Sequence, residues 1–212
     1  KQLVQGTVGI DAVAGATEVL VIADASANAG WVAADLISQA EHDEQAGAVL
    51  VTDSETLAET VRAEIAARLP NTDNHERATI ALSGPQSAVV LVDDLAAAAR
   101  VSDAYAPEHL ELHVADTETL LAQISNAGAI FVGAYAPVSL GDYLAGSNHV
   151  LPTGGQARFS SGLGAYSFLR AQQIIRYDEP GLRDVADRIV ALSRAEALPA
   201  HGEAVQARFE QH

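Results

Sequence analysis

"EVLVIAD" (residues 18–24), "AGWVAADLISQAEH" (29–42) and "GAVLVTD" (47–53) follow one another with little between them. The first and third are apolar runs of strand length, rich in β-branched residues. Neither alternates apolar with polar positions, so each reads as a strand covered on both faces, which is the mark of a parallel sheet. The middle segment has a helical period instead. At about 100° per residue, Val32, Leu36 and Gln39 share one stripe, and His42 lies one step toward the polar edge. The same alternation continues downstream. A helix starts at Ser54 with Leu57, Val61, Ile65 and Leu69 on one stripe, and Thr52 and Glu55 have the spacing of a capping box. "SAVVLVDD" (87–94), "LELHVAD" (110–116) and "AGAIFVG" (127–133) are further strands, with helices over 95–104 and 117–125. The expected fold class is α/β, a Rossmann-like, mostly parallel sheet with helices on both faces. In such sheets ligands gather at the carboxyl ends of the strands.

The texture changes after Gly133. "AYAPVSLGDYLAGSNHVLPTGGQARFSSGLG" is rich in Gly, Pro and Ser and too long for a passive connector. Tyr135, Leu140, Tyr143, Val150 and Leu151 give it residues to bury, so it reads as an ordered functional loop. A strand "QQIIRYD" (172–178), a helix over 180–197 and a last helix after Pro199 complete the chain. Two regions follow: an α/β domain over 1–165 carrying most of the site, and a small C-terminal strand and helical extension over 166–212.

Composition narrows the function classes. The 212 residues are 49% hydrophobic, enough for a substantial core. A net charge of −16 repels nucleic acid and anionic membrane surfaces alike, so neither is an expected partner. No apolar run approaches the roughly 18 residues of a membrane span, and nothing resembles a signal peptide. The absence of cysteine removes disulfides, thiolate metal sites and a thiol nucleophile, and fits a cytoplasmic protein. The sequence contains no methionine and begins at Lys1, as a piece of something longer would.

The polar groups that call for explanation are Gln39, His42, the pair Glu108–His109 in "APEHLEL", Asp142 in "LGDYLAG" and His201 in "LPAHGEA". Each also has a plain structural use. Gln39 can hydrogen-bond a loop, His42 can cap a helix C-terminus, Asp142 can hold a turn, and Glu108–His109 can be a solvated strand entry. Taken together, two imidazoles, a carboxylate and an amide oxygen make a ligand set for a borderline divalent ion, zinc first. Spacing alone does not unite them. His149 sits in "GSNHVLPT" and reads as a loop-ordering residue, while His75, His113 and His212 read as surface or strand positions.

"GTVGIDAVAGATEVLVIAD", "ISQAEHDEQA", "APEHLEL", "GAIFVGAYAPVSLGDYLAGSNHVLPTGG" and "LPAHGEAV" resemble, in order, signature stretches of histidinol dehydrogenase. The chain is similar to the C-terminal portion of that enzyme. The resemblance implies oxidation of L-histidinol to L-histidine through the aldehyde, the last step of histidine biosynthesis, with two NAD and one Zn2+ per site. It implies Gln39, His42, Asp142 and His201 as zinc ligands, Glu108 and His109 as the acid–base pair, and Thr17, His109 and Glu196 as substrate contacts beside the zinc ligands. Where the family has "DM-AGPSE" this chain has "DAVAGATE", so Ala12 and Ala16 stand for a methionine and a proline. No GxGxxG occurs, and no residue is assigned to NAD. The resemblance also implies a homodimer whose C-terminal extension reaches the partner's site. A zinc- and ligand-binding fragment without turnover, or a zinc hydrolase using the same ligands, would carry many of the same residues.

Overall fold

A computed structural model describes residues 1–210, and the chain divides into two compact units, Lys1–Phe168 and a smaller one from Leu169 onward. The first is built on five strands: β1 (Glu18–Ala23), β2 (Gly47–Thr52), β3 (Ala88–Leu91), β4 (His109–His113) and β5 (Ala129–Val132). They lie in the order β3-β2-β1-β4-β5, and every neighbouring pair is parallel. From β1 the chain returns through helix α1 (Ala29–Ala40) to β2, and through α2 (Glu55–Arg68) and α3 (His75–Ser83) to β3. It then crosses back through α4 (Leu95–Tyr105) to lay β4 on the other side of β1.

The unbroken apolar runs are explained by this position. β2 is buried at every residue and β1 at all but its first. Val19, Val21 and Ala23 pack with Val32, Ala33 and Leu36 of α1 and with Leu57 and Val61 of α2. The opposite face sets Leu20, Ile22, Leu110 and Leu112 against Ala98 and Ala99 of α4 and Leu120 of α5 (Thr117–Leu121). After β5 a short helix, α6 (Val138–Tyr143), opens the long Gly-rich stretch. The second unit is two helices, α7 (Glu179–Ala195) and α8 (Pro199–Gln206), closely packed where Gly202 meets Val190 and Ser193.

Several local expectations are corrected. The cap of α2 is Ser54, whose Oγ accepts from Leu57 N at 3.2 Å, while Thr52 is still in β2 and accepts from Ser54 N. Helix α3 escapes the sequence reading because its buried residues are alanines, Ala78 and Ala81, which leave little hydrophobic signature. The segment 172–178 forms no strand: it has no neighbouring ladder, and Ile174 and Ile175 are exposed. In the long loop, Tyr135, Leu140 and Tyr143 are exposed as well. That loop is held mainly through polar contacts, with Thr153 Oγ1 accepting from Gly15 N (2.6 Å) and Gln156 Nε2 donating to Val13 O (2.7 Å). His212 lies outside the described residues. Among the described residues no helix is long and apolar enough to cross a membrane.

Candidate active site

Strand β4 departs from the apolar rule of its neighbour. Its pleat sends His109, Glu111 and His113 to one face, and all three are buried. Register places them beside Val19, Val21 and Ala23 of β1, on the side covered by α1. A seam of ionisable groups thus runs along the middle of the sheet. Burial of this kind is tolerated only with partners.

The partners begin just before the strands. Thr17 immediately precedes β1 and Glu108 immediately precedes β4. Thr17 Oγ1 donates to Glu108 Oε2 at 2.6 Å and accepts from Gln39 Nε2 at 2.9 Å. Glu18 N gives Glu108 Oε2 a second donor at 3.1 Å. A continuous chain therefore runs from Gln39 through Thr17 to Glu108. It uses the donor end of the Gln39 amide and, among the described residues, leaves the Gln39 oxygen and Glu108 Oε1 without a hydrogen bond. Because α1 runs back across the sheet, Gln39 in its last turn and His42 just beyond reach the same end as Thr17. The expectation of a site at the carboxyl ends of the strands is corrected: these residues meet at the amino ends.

His109 is oriented by the backbone. Its Nδ1 lies 2.9 Å from Glu18 O, and because a carbonyl only accepts, Nδ1 carries the proton. With the proton on Nδ1, the lone pair is on Nε2, which is buried and has no hydrogen-bond partner among the described residues. Asp142 Oδ1 is 4.0 Å from that nitrogen. The approach depends on Gly141, where a Cβ would sit 2.6 Å from the Phe131 ring, so α6 can lie close over β5. The start of α6 is fixed by Glu111, whose Oε1 accepts from Val138 N at 2.9 Å.

Two adjoining cavities collect these groups. One, of about 420 Å3, is lined by Thr17, His42, Glu108, His109, Asp142, Tyr143 and His149. The other, of about 470 Å3, includes Asp35, Gln39, His42, Asp142 and Tyr143 in its lining. The charge balance around them is uneven. Burial, then the neighbouring Glu111 charge, pushes Asp35 up to about 7 against the opposing effect of His113. Burial also raises Glu18, whose Oε1 accepts from Gly154 N.

Comparison with known proteins gives the chain a family. The family model for histidinol dehydrogenase matches residues 1–209. The chain belongs to the histidinol dehydrogenase family. It is 67% identical over 211 residues to the histidinol dehydrogenase of Leifsonia xyli, covering 100% of this chain and 48% of that protein. It is 59% identical over 210 residues to the Mycolicibacterium smegmatis protein, covering 99% of this chain and 47% of that one. A crystal structure of histidinol dehydrogenase from Elizabethkingia anophelis is similar with a TM-score of 0.88 at 38% identity, covering 98% of this chain and 48% of the other. The chain thus spans about half the length of the histidinol dehydrogenases it matches.

Of the residues singled out from the family signatures, the first unit brings together Thr17, Gln39, His42, Glu108, His109 and Asp142 around the two cavities. Glu196 and His201 lie on the second unit, at the C-cap of α7 and in α8. The sequence reading missed Tyr143 and Asp35 as lining residues and did not bring His149 to the cavity. It also missed the acidic and imidazole groups at 111 and 113. A signal for those existed: "HLELH" alternates polar with apolar residues, while the other strands carry polar residues only at their ends, Glu18 and Thr52.

Proposed function

We propose that this chain serves the oxidation of L-histidinol to L-histidine through the aldehyde, with two NAD as hydride acceptors and one Zn2+ per site, as the last step of histidine biosynthesis in the cytoplasm. The observation that carries the reading is the meeting of Thr17, His42, Glu108, His109 and Asp142 on one cavity, with Gln39 hydrogen-bonded to Thr17. These positions come from separate stretches of the sequence.

The residues suit a zinc ion. Gln39 is turned so that its Nε2 is spent on Thr17, which leaves the amide oxygen as donor. His42 and Asp142 line both cavities with it or beside it. Gln39, His42 and Asp142 would hold the ion, with His201 as fourth ligand, an oxygen and nitrogen set of the kind found in sites open to substrate. Bound there, zinc supplies a Lewis acid that can fix the imidazole and amine of histidinol. No residue is assigned to NAD: the link from β1 to α1 is "DASAN" (24–28), without the glycines of a dinucleotide loop.

The protein's own groups then divide the work. His109 Nε2, with its lone pair directed by the Glu18 carbonyl, takes the carbinol proton. Glu108 accepts two donors on Oε2 and keeps Oε1 for a water attacking the aldehyde. The aldehyde hydrate is the form taken into the second oxidation, since the residues at this site include no cysteine for a thiohemiacetal. Thr17 couples the Glu108 carboxylate to the Gln39 amide and contacts substrate. In the full-length protein, histidinol should drive NADH formation, and Asp142→Ala should lose most zinc affinity, because ligands act as a set. Unchanged zinc content in that variant, or ester cleavage without NAD in place of NADH formation, would count against the reading.

We also propose a homodimer in which Glu196 and His201 complete the partner's site. The exposed Ile174, Ile175, Tyr177 and Leu192 support it, since apolar surface of this kind calls for a covering partner. Mixing inactive His201→Ala and Asp142→Ala full-length chains should restore activity, as half the sites of a heterodimer then have all ligands. Verified heterodimers that stay inert would rule this out.

A further inference from the structure

The ionisable seam of β4 continues past His109 into a group that the reaction just described does not use. Asp35 on α1 and Glu111 and His113 on β4 place one donor atom each within 4.8 Å of one another. His113 Nε2 faces both carboxylates, 3.8 Å from Asp35 Oδ2 and 3.7 Å from Glu111 Oε2. Glu111 is 0% and His113 5% exposed. Among the described residues, Glu111 Oε2 and both ring nitrogens of His113 are buried with no hydrogen-bond partner. Among the described residues no Lys or Arg forms an ion pair with either carboxylate.

Glu111 is fully buried and Asp35, at 17% side-chain exposure, partly so, and two facing carboxylates of this kind call for compensation by a proton or by a cation. A proton shared between them and the imidazole would draw the donor atoms to hydrogen-bond distance, about 2.6–3.2 Å. They stand apart instead. The observed 3.7 and 3.8 Å are close to the roughly 3.4 Å that separates two donors bound about 2.1 Å from one tetrahedral ion. An entry path exists, because Asp35 also lines the cavity of Gln39, His42 and Asp142. Two carboxylate oxygens and one imidazole nitrogen make a donor set for a first-row divalent cation, zinc or manganese, with water filling the shell.

We infer that Asp35, Glu111 and His113 form a second divalent-cation site, separate in its ligands from the Gln39, His42 and Asp142 set. None of its three residues belongs to that set, and the inference does not depend on the proposed reaction. The bound ion neutralises the seam, and through the Glu111 bond to Val138 N it ties β4 to the start of the helix that carries Asp142.

The test uses the full-length protein, stripped with a chelator and reloaded with buffered Zn2+ or, separately, Mn2+. Metal analysis should find one more ion per chain in the parent protein than in His113→Gln, and anomalous difference maps at each metal's absorption edge should place that ion between Asp35, Glu111 and His113. In His113→Gln this peak should vanish while the peak beside His42 remains. Saturated parent crystals with density beside His42 alone overturn this inference and leave the proposed zinc site standing. Crystals that take up neither ion overturn both. If His113→Gln fails to fold, the parent maps decide without it.

Discussion

β1 and β4 lie side by side in register, yet on the face toward α1 one shows Val19, Val21 and Ala23 and the other His109, Glu111 and His113. Both stripes are buried. β1 contributes to the hydrophobic layer that holds α1 and α2 in place. β4 gives up that contribution along one face and in return orients an imidazole and two further ionisable groups within a rigid sheet. The contrast marks where this unit has exchanged apolar core packing for buried ionisable groups. It also explains why the candidate site is at the amino ends: Glu108 and Thr17 are the residues just before these two strands, and their side chains meet where the seam begins.

The largest effect is expected at His109. In the full-length protein His109→Asn should slow alcohol oxidation by about 10²–10⁴-fold, and Glu108→Gln should slow mainly the aldehyde step, the range expected for general acid–base groups. Steady-state rates with histidinol and with the aldehyde separate the two; parental rates in both variants would falsify the assigned roles. Making β1 resemble β4 should fail for the opposite reason. Val21→Glu sets a carboxylate beside Glu111 with no partner of its own. A loss on the order of 3–5 kcal/mol in urea unfolding is expected for an uncompensated buried charge.

A gentler perturbation is pH. Asp35 is raised from 3.8 to about 7, chiefly by burial and then by the Glu111 charge. The folded, metal-free protein therefore binds more protons than the unfolded chain between those values. Its stability from this group is full below 3.8 and falls as pH rises toward about 7. Melting temperatures across that window should show the slope, and Asp35→Asn should flatten it. A steeper slope in the variant would refute the assignment. The smallest effect is at the other end of α1, where Asn28 Oδ1 accepts from Gly30 N and Trp31 N. Asn28→Ala should cost about 1 kcal/mol in denaturant unfolding and leave the β4 seam untouched, which zinc content would confirm.

The order of elements was legible because buried parallel strands and amphipathic helices have distinct periods. "EVLVIAD" and "GAVLVTD" could be little else. The family signatures likewise carried Thr17, Gln39, His42, Glu108, His109 and Asp142 as individual residues. Their convergence was not legible, since positions 17, 39, 108 and 142 are far apart in the chain and spacing holds no information across crossovers. Only the register of β1 with β4 and the return of α1 bring them to one end of the sheet. The tautomer of His109 depends on a carbonyl ninety-one positions earlier in the chain, at Glu18. The same holds for Asp35, Glu111 and His113: their residue types stand in the sequence, but one helix laid across one strand makes them neighbours. Local periodicity determined which segments are strands and helices, because it depends on side chains a few residues apart. Sheet order and helix packing decided which polar groups share a cavity, because burial and electrostatics act through space.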